Sequence, residues 1–312
     1  MSVTLQDIFH AQRRLRPYLA PTPLEAAPGL GPQVWLKLEQ VNPTHSFKIR
    51  GALNAVMMLT EEERGRGIVA ASSGNHAQAV AYAARQFGLS AKIVMPIHTP
   101  ARKVSGTRRY GAEAVLYGDI YDTAEQHARE LEKLEGRTYI SPYNDPRIIA
   151  GAGTIGLEIM AQNPGITRVV VPVSGGGLMA GIATAIRGII PRAEIIGVNA
   201  LSAPAMYNVF YNTDYPQNPD TLAEALSGDI EGDLTIRLCK AHVDRIVLVD
   251  EDAIAEAMRW LLREQGWLVE GGGAVAVAAL LSGVIPADDQ ATAVVLSGSN
   301  VDFDTLQQVL AS

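Results

Sequence analysis

The fold of this 312-residue chain is decided by the stretch RVVVPVSGGGL, residues 168–178. Its apolar first half, Arg168–Pro172, predicts a buried strand, its three consecutive glycines predict a loop, and the segment from Met179 predicts a helix. Glycines let backbone N–H groups approach a phosphate closely, and the helix dipole favours the negative charge. An ordinary turn does not need three glycines, so the stretch favours a phosphate site. No Gly-Lys-Ser/Thr follows, so it is not a P-loop.

Strands and helices alternate on both sides of this stretch, and several strands are apolar throughout, which is typical of parallel sheets covered on both faces. The strands predicted outside the stretch are Val34–Leu38, Ile68–Ala71, Lys92–Met95, Ala114–Tyr117, Ile195–Asn199, Asp244–Val249 and Ala293–Leu296. The predicted helices are Arg50–Leu59, His76–Phe87, Pro100–Tyr110, Tyr121–Glu135, Thr154–Gln162, Met179–Ile190 and Glu251–Gln265. The fold class is therefore α/β, and the polar segment Tyr207–Asp220 is predicted to be a loop.

Composition excludes several classes of protein. Hydrophobic residues make up 47% of the chain, enough for a core, and the formal charge of −7 argues against non-specific nucleic-acid binding. Cys239 is the single cysteine, which favours a reducing compartment. The longest apolar run, Ala274–Leu281, is too short for a membrane span, and the N-terminus lacks a signal-peptide pattern. We expect a cytoplasmic protein without nucleic-acid or membrane partners.

Two more motifs overlap the starts of predicted helices. The segment SSGNH, residues 72–76, follows a strand, and its hydroxyl groups and free N–H groups suit a carboxylate, although simple N-capping also explains them. The segment SFKIRG, residues 46–51, places Lys48 between apolar residues. An apolar setting favours the neutral amine, which can attack a carbonyl group, whereas most lysines are solvated surface charges.

The segment SGSN, residues 297–300, ends the last strand, and ligands of open parallel sheets bind at such ends. Residues 151–156 match G-x-G-x-x-G, but no strand precedes them, so we expect these glycines to serve packing rather than a dinucleotide. The histidines and the cysteine show no metal-ligand spacing, and no G-x-S-x-G elbow is present.

Together these motifs resemble the fold-type II pyridoxal-phosphate enzymes, specifically the serine/threonine dehydratase and serine racemase family. The resemblance covers nearly the whole chain and preserves the order of its motifs. They are PTPL (21–24), KLE (37–39), SFKIRGA (46–52), SSGNHAQ (72–78), AGAGTIGLE (150–158), SGGGL (174–178) and LSGSN (296–300). Residues 174–178, 221–226 and 269–271 look most like the hydroxyectoine-utilisation dehydratase branch.

The resemblance implies a role for each matching residue. Lys48 would hold pyridoxal 5′-phosphate as a Schiff base, with Phe47 beside it, Asn75 on the 3′ oxygen and Ser297 on the pyridine nitrogen. Ser73 matches the serine that racemases use as the opposite-face acid/base. The phosphate would be held by Ser174, Gly175, Gly176, Gly177 and Leu178. The substrate would meet His45, Ser72, Ser73, Gly74, Asn75 and His76.

The chain also departs from this family. His45 stands where glycine is usual, so an imidazole could contact the substrate side chain or the phosphate. Glu270 matches the family's acidic residue, but Gly271 and Gly272 follow it in place of the common Pro-containing sequence. Metal-binding members have a glutamate and an aspartate at the positions of Asn199 and Ala205. A hard divalent cation needs such carboxylates, so we expect no metal.

The resemblance implies a fold like the tryptophan synthase β subunit, with two open twisted parallel-sheet domains and helices on both faces. We expect a large cofactor domain from residues 1–60 and 149–312, a small mobile domain from 61–148, and a homodimer. The expected reaction is β-elimination from L-threonine, L-serine or a bulkier β-hydroxy amino acid such as phenylserine, 3-hydroxyaspartate or a hydroxyectoine-derived acid. Racemisation is an alternative on the same residues. An NAD-dependent oxidoreductase and a sensor without turnover are alternatives from other classes.

Overall fold

A computed structural model describes residues 2–218, 220–228, 232–286 and 288–311. The strands in these ranges are β1 Leu24–Ala26, β2 Val34–Leu38, β3 Ile68–Ala71, β4 Ala91–Met95, β5 Glu113–Leu116, β6 Thr138–Tyr139, β7 Arg168–Pro172, β8 Glu194–Ala200, β9 Arg245–Val249 and β10 Thr292–Leu296. The α-helices are α1 Leu5–Leu15, α2 Lys48–Met57, α3 Glu61–Arg66, α4 Asn75–Gln86, α5 Ala101–Arg108, α6 Tyr121–Glu135, α7 Pro146–Gln162, α8 Gly177–Ile189, α9 Ala205–Tyr211, α10 Asp233–His242, α11 Glu251–Gln265, α12 Gly271–Leu281 and α13 Phe303–Ala311.

The strands form two separate sheets. The larger has the order β1-β2-β10-β7-β8-β9, in which β1 is antiparallel to β2 and the other neighbours are parallel. The smaller has the order β5-β4-β3-β6 and is parallel throughout. Apolar cores cover both faces of each sheet, as expected for an α/β protein with helices on both sides.

The two sheets follow the expected division of the chain. All strands of the smaller sheet lie within residues 61–148, and all strands of the larger sheet lie outside that range. Helix α7, however, begins at Pro146, so it crosses the predicted boundary at 148/149. The boundaries, and the movement of 61–148 as a unit, remain predictions.

The start of α7 was predicted wrongly, at Thr154 rather than Pro146. Asp145 caps the helix by accepting a 2.7 Å hydrogen bond from the N–H of Arg147, and Pro146 occupies the first turn, where no N–H donor is required. The G-x-G-x-x-G motif therefore lies inside a buried helix and not at a phosphate-binding helix start. This arrangement excludes a dinucleotide site at the motif.

The three glycines of that motif allow close helix packing, as predicted. A Cβ atom on Gly151 would lie 2.6 Å from the carbonyl oxygen of Arg50 in α2. A Cβ atom on Gly153 would lie 2.9 Å from the carbonyl oxygen of Gly181, and one on Gly156 would lie 2.8 Å from Ala185. Helix α7 is thus fitted tightly between α2, which begins with Lys48, and α8, which follows the glycine loop.

One other prediction needs correction, and one buried helix was missed. The segment Tyr207–Asp220 is not a loop throughout, because α9 continues to Tyr211; Pro219 lies outside the described residues. Helix α12 was not predicted, since most of it is buried on all sides and has no amphipathic pattern to read. None of the helices in the described ranges has the length and apolar character that a membrane span requires.

Candidate active site

A cavity of about 910 Å³ lies at the carboxyl ends of strands from both sheets. Every residue that the sequence predicted to contact cofactor or substrate lines this cavity. These residues are His45, Phe47, Lys48, Ser72, Ser73, Gly74, Asn75, His76, Ser174, Gly175, Gly176, Gly177, Leu178 and Ser297. The fold thus brings together motifs that are up to 252 positions apart, from His45 to Ser297.

Lys48 is the first residue of α2, and its side chain reaches into the cavity. Its Nζ atom donates a 2.7 Å hydrogen bond to the carbonyl oxygen of Pro142 and lies 5.2 Å from the centroid of the Phe47 ring. Burial lowers the pKa of Lys48 to about 8, and the negative charge of Glu270 only partly opposes this effect. A substantial fraction of Lys48 therefore carries a neutral, nucleophilic amine at mildly alkaline pH.

The backbone ties the lysine segment to the end of β10. The N–H of Phe47 donates a 3.0 Å hydrogen bond to the carbonyl oxygen of Ser297, and Ser46 and Gly298 form an antiparallel bridge. Ser297 is 6% exposed, and its hydroxyl group makes no hydrogen bond to a described residue. That hydroxyl is free to bind a ligand atom in the cavity.

The glycine loop has the features of a phosphate cradle. Gly176 has φ +87°, a conformation that glycine adopts without strain, and a Cβ atom on Gly175 would lie 2.6 Å from the Tyr143 ring. In the described part of the chain, no acceptor takes the N–H groups of residues 175–178, which point from the start of α8. Ser174 contributes only its backbone, because its hydroxyl donates to the carbonyl oxygen of Leu226 at 2.9 Å.

Glu270 is the main residue of the site that the sequence analysis did not assign to cofactor or substrate. Asn75 donates a 2.6 Å hydrogen bond from Nδ2 to Glu270 Oε1, and its own Oδ1 accepts a 2.6 Å bond from Asn300. Burial raises the pKa of Glu270 to about 7, although the bond from Asn75 lowers it. The sequence did contain a signal for it, because Glu270 matches an acidic residue of the family that the chain resembles.

His76 does not provide a positive charge for a carboxylate. Its Nε2 atom lies 2.9 Å from the carbonyl oxygen of Ile140, so Nε2 must carry the proton and Nδ1 has a free lone pair. Nδ1 is buried and has no hydrogen-bond partner in the described structure. Burial and the nearby Lys48 lower the pKa of His76 to about 3, which keeps the ring neutral. The N–H of Gly74 already donates to Ser72 Oγ at 3.2 Å, so an anion at this loop would have to bind the other backbone N–H groups or the hydroxyl groups of Ser72 and Ser73.

His45 lies exposed on the cavity wall in a conformation that suits glycine. Its φ is +57°, in the left-handed region, where a side chain with a Cβ atom is strained. The N–H of His45 donates to the carbonyl oxygen of Asn42 at 2.7 Å, and its carbonyl oxygen accepts from Ser299 at 2.9 Å. These two bonds hold the backbone in place, in a conformation that glycine would adopt with less strain.

Ion pairs cross the cavity between the two sheets. Arg102 in α5 donates to the carbonyl oxygen of Val301 at 2.8 Å, and Lys103 lies 2.7 Å from Glu224 and 3.2 Å from Asp302. These contacts join the smaller sheet's side of the cavity to the segment after β10. All five residues of these contacts line the cavity.

A buried ionic cluster lies behind the cavity. Its residues come in part from the motifs PTPL (21–24), KLE (37–39) and AGAGTIGLE (150–158), which contribute no residue to the predicted site. Arg50, 1% exposed, binds Glu39 and Glu158, and Lys37 also binds Glu158 at 2.7 Å. Thr22 donates its hydroxyl to Glu39 at 2.6 Å. Two positive and two negative side chains therefore balance each other in the core, directly beyond the first turn of α2 that carries Lys48.

The comparisons with known proteins agree with this geometry. Residues 15–298 match the family described as pyridoxal-phosphate dependent enzyme, and the chain belongs to that family. Its cofactor is pyridoxal 5′-phosphate, which the free N–H groups of the glycine loop and the low-pKa amine of Lys48 fit.

Two curated relatives have names that specify a reaction. The chain is 42% identical to L-threonine ammonia-lyase of Thermotoga maritima, over 99% of this chain and 78% of the relative. It is 39% identical to the catabolic L-threonine dehydratase of Escherichia coli strain K12, over 99% of this chain and 96% of the relative. Among solved structures, maize serine racemase has a TM-score of 0.92 at 32% identity, covering 100% of this chain and 98% of that one. The predicted fold type and family are confirmed.

Proposed function

We propose that this protein is an ammonia-lyase that converts a β-hydroxy amino acid such as L-threonine or L-serine to a 2-oxo acid and ammonia. Overall, water is eliminated across Cα and Cβ, and hydrolysis of the resulting enamine consumes one water and releases ammonia. The observation that carries the proposal is the placement of Lys48, with its lowered pKa, in one cavity with the free N–H groups of the glycine loop. The relatives named as threonine ammonia-lyase and dehydratase support this reaction.

When bound, pyridoxal phosphate withdraws electrons from Cα of the substrate. The backbone N–H groups of residues 174–178 bind the phosphate and fix its position. The Lys48 amine then removes the Cα proton, which a pKa near 8 allows at mildly alkaline pH. Ser297 offers a neutral hydroxyl to the pyridine nitrogen, Asn75 offers its second amide hydrogen to the 3′ oxygen, and Phe47 packs beside the ring.

The substrate is proposed to bind at the start of α4. The Ser73 hydroxyl and the N–H groups near Gly74 would receive its carboxylate, while His45 would contact its side chain. The ion pairs of Arg102 and Lys103 would hold residues 61–148 over the cavity and exclude water during elimination. The homodimer and the cytoplasmic location expected from the sequence stay predictions.

Racemisation is the second candidate, and a specific observation favours it. Ser73 is partly exposed in the same cavity as Lys48, and a serine racemase structure superimposes with a TM-score of 0.92. A base and an acid on opposite faces of Cα would invert the substrate. Chiral analysis of the amino acid recovered from the lyase assay distinguishes this activity from elimination.

The test is release of 2-oxo acid from a panel of β-hydroxy amino acids with added pyridoxal phosphate. We expect product from at least one member, and Lys48→Ala should reduce the rate by about 10³-fold or more. Lys92→Ala is the matched control, because Lys92 pairs with Glu135 at the surface and should leave the rate unchanged. Cofactor binding without product from any member would contradict the lyase assignment.

A further inference from the structure

Asn199 lies near the end of β8 and is fully buried. Both polar atoms of its carboxamide group form hydrogen bonds. Its Nδ2 atom donates to the carbonyl oxygens of Val173 at 2.7 Å and Ala203 at 3.0 Å. Its Oδ1 atom accepts a 3.0 Å hydrogen bond from the N–H of Tyr207. Carbonyl groups only accept and N–H groups only donate, so these partners determine the orientation of the amide.

The family resemblance implies a glutamate at this position, and an aspartate at the position of Ala205, in members that bind a divalent cation. The residues present do not fit a divalent cation. Ala205 offers no side-chain oxygen, and the carbonyl oxygens of Val173 and Ala203 already accept from Asn199. The nearby carboxylate of Glu251 accepts hydrogen bonds from Ser202, Thr221 and Leu222. Within the described ranges, no three His, Cys, Asp or Glu side chains are grouped as metal ligands.

We propose that the Asn199 carboxamide replaces a divalent cation in this chain and holds the backbone around the phosphate loop without metal. A cation at such a place gathers carbonyl and carboxylate oxygens around one centre. The Asn199 amide gathers two carbonyl oxygens with its two hydrogens, and it uses its oxygen to fix the start of α9.

The backbone that Asn199 holds is continuous with the loop that binds the cofactor phosphate. Val173 immediately precedes Ser174, so the bond from Asn199 fixes the peptide that enters the phosphate loop. Helix α9 contributes Met206, whose Cε atom packs against Gly176, 2.6 Å from where a Cβ atom would be. Removing the amide would leave two buried carbonyl groups without donors and would free both supports of the loop.

The experiment measures the affinity of pyridoxal phosphate by the absorbance of the bound cofactor, so it does not depend on which reaction the enzyme catalyses. The unaltered protein should bind the cofactor equally well in EDTA, in Mg²⁺ and in Ca²⁺. Asn199→Ala should raise the dissociation constant by about tenfold or more, and Mg²⁺ should not restore it. Asn208→Ala is the matched control, because Asn208 bonds to Tyr215 in the exposed loop after α9 and should leave affinity unchanged.

Loss of affinity in EDTA that Mg²⁺ or Ca²⁺ restores would overturn the proposal, and this arm needs no variant. Normal affinity of Asn199→Ala would overturn it as well. If Asn199→Ala does not fold, Asn199→Asp keeps the size of the side chain but replaces the donor with a carboxylate facing two carbonyl groups. We expect this variant to bind the cofactor weakly in EDTA and more tightly in Mg²⁺; tight binding in EDTA would contradict the proposal.

Discussion

Asn75 donates a 2.6 Å hydrogen bond to Glu270, a residue 195 positions away in the chain. Asn75 opens α4 beside the smaller sheet, whereas Glu270 precedes α12 beside the larger one. The bond therefore joins the two halves of the protein inside the proposed cofactor site. Burial raises the pKa of the Glu270 carboxyl group to about 7, although the bond from Asn75 opposes this shift.

Replacing Glu270 with Gln should make stability less dependent on pH. Because its folded-state pKa is raised from 4.5 to about 7, Glu270 lowers the free energy of unfolding progressively as pH rises through that interval. Glutamine stays neutral and still accepts from Asn75. In cofactor-free protein, the melting temperature of Glu270→Gln relative to the unaltered protein should rise between about pH 5 and about pH 8. A constant difference would show that Glu270 does not titrate there; Glu62→Gln, at the surface, is the control.

Arg50→Ala should be among the most damaging single substitutions. It would leave Glu39 and Glu158 as buried carboxylates without their main partner, which costs about 3–5 kcal/mol of unfolding free energy. Urea titration measures this loss. Arg66→Ala removes an exposed pair with Glu62 and should cost less than about 1 kcal/mol. Similar losses from both variants would mean that the buried cluster does not stabilise the fold.

Gly151→Ala should disturb the cofactor as well as the fold. The added methyl group would press on the backbone of Arg50 and Gly51, and overpacking of this kind costs roughly 1–3 kcal/mol. Since α2 begins with Lys48, we also expect weaker cofactor binding. The control is Gly65→Ala, where no atom lies within 4 Å and the helix should gain about 0.5–1 kcal/mol. Unchanged stability of Gly151→Ala would refute the close-packing role.

His45→Gly separates backbone strain from substrate recognition. Glycine adopts φ +57° freely, so we expect the free energy of unfolding to rise by about 1 kcal/mol. If the imidazole contacts the substrate side chain, the ranking of β-hydroxy amino acids by kcat/KM should change as well. Asn212→Gly, at φ +56°, should stabilise less, because asparagine tolerates this region better. An unchanged ranking would remove His45 from the substrate site.

Much of the site could be predicted because its residues follow short, characteristic strands. Strands β3 and β7 match their predicted bounds, and the motifs after them line the cavity as expected. Parallel strands bring their carboxyl ends to one edge of a sheet, so local patterns could place Ser297 near the glycine loop in the larger sheet. Lys48 and Asn75 were joined to them by the family resemblance, because Asn75 follows a strand of the other sheet and Lys48 opens a helix.

Other features depend on tertiary contacts that no local pattern reveals. Glu270 becomes unusual only through burial, and the neutrality of His76 depends on burial and on the nearby positive charge of Lys48. Strand β6 has two residues, Thr138 and Tyr139, which are too few to show a strand pattern in the sequence. It is a strand because it pairs with β3.

The place of β10 in the larger sheet has a consequence for how the protein is made. This strand, near residue 296, inserts between β2 and β7, which are separated in sequence by more than a hundred residues. During synthesis β2 pairs with β1 and β7 pairs with β8 before β10 is made, so each keeps one unpaired apolar edge exposed until β10 emerges. The cofactor site cannot be assembled until Ser297 has left the ribosome. Protection of these waiting strands, by a chaperone or by rapid translation of the last third of the chain, should therefore govern the yield of active enzyme.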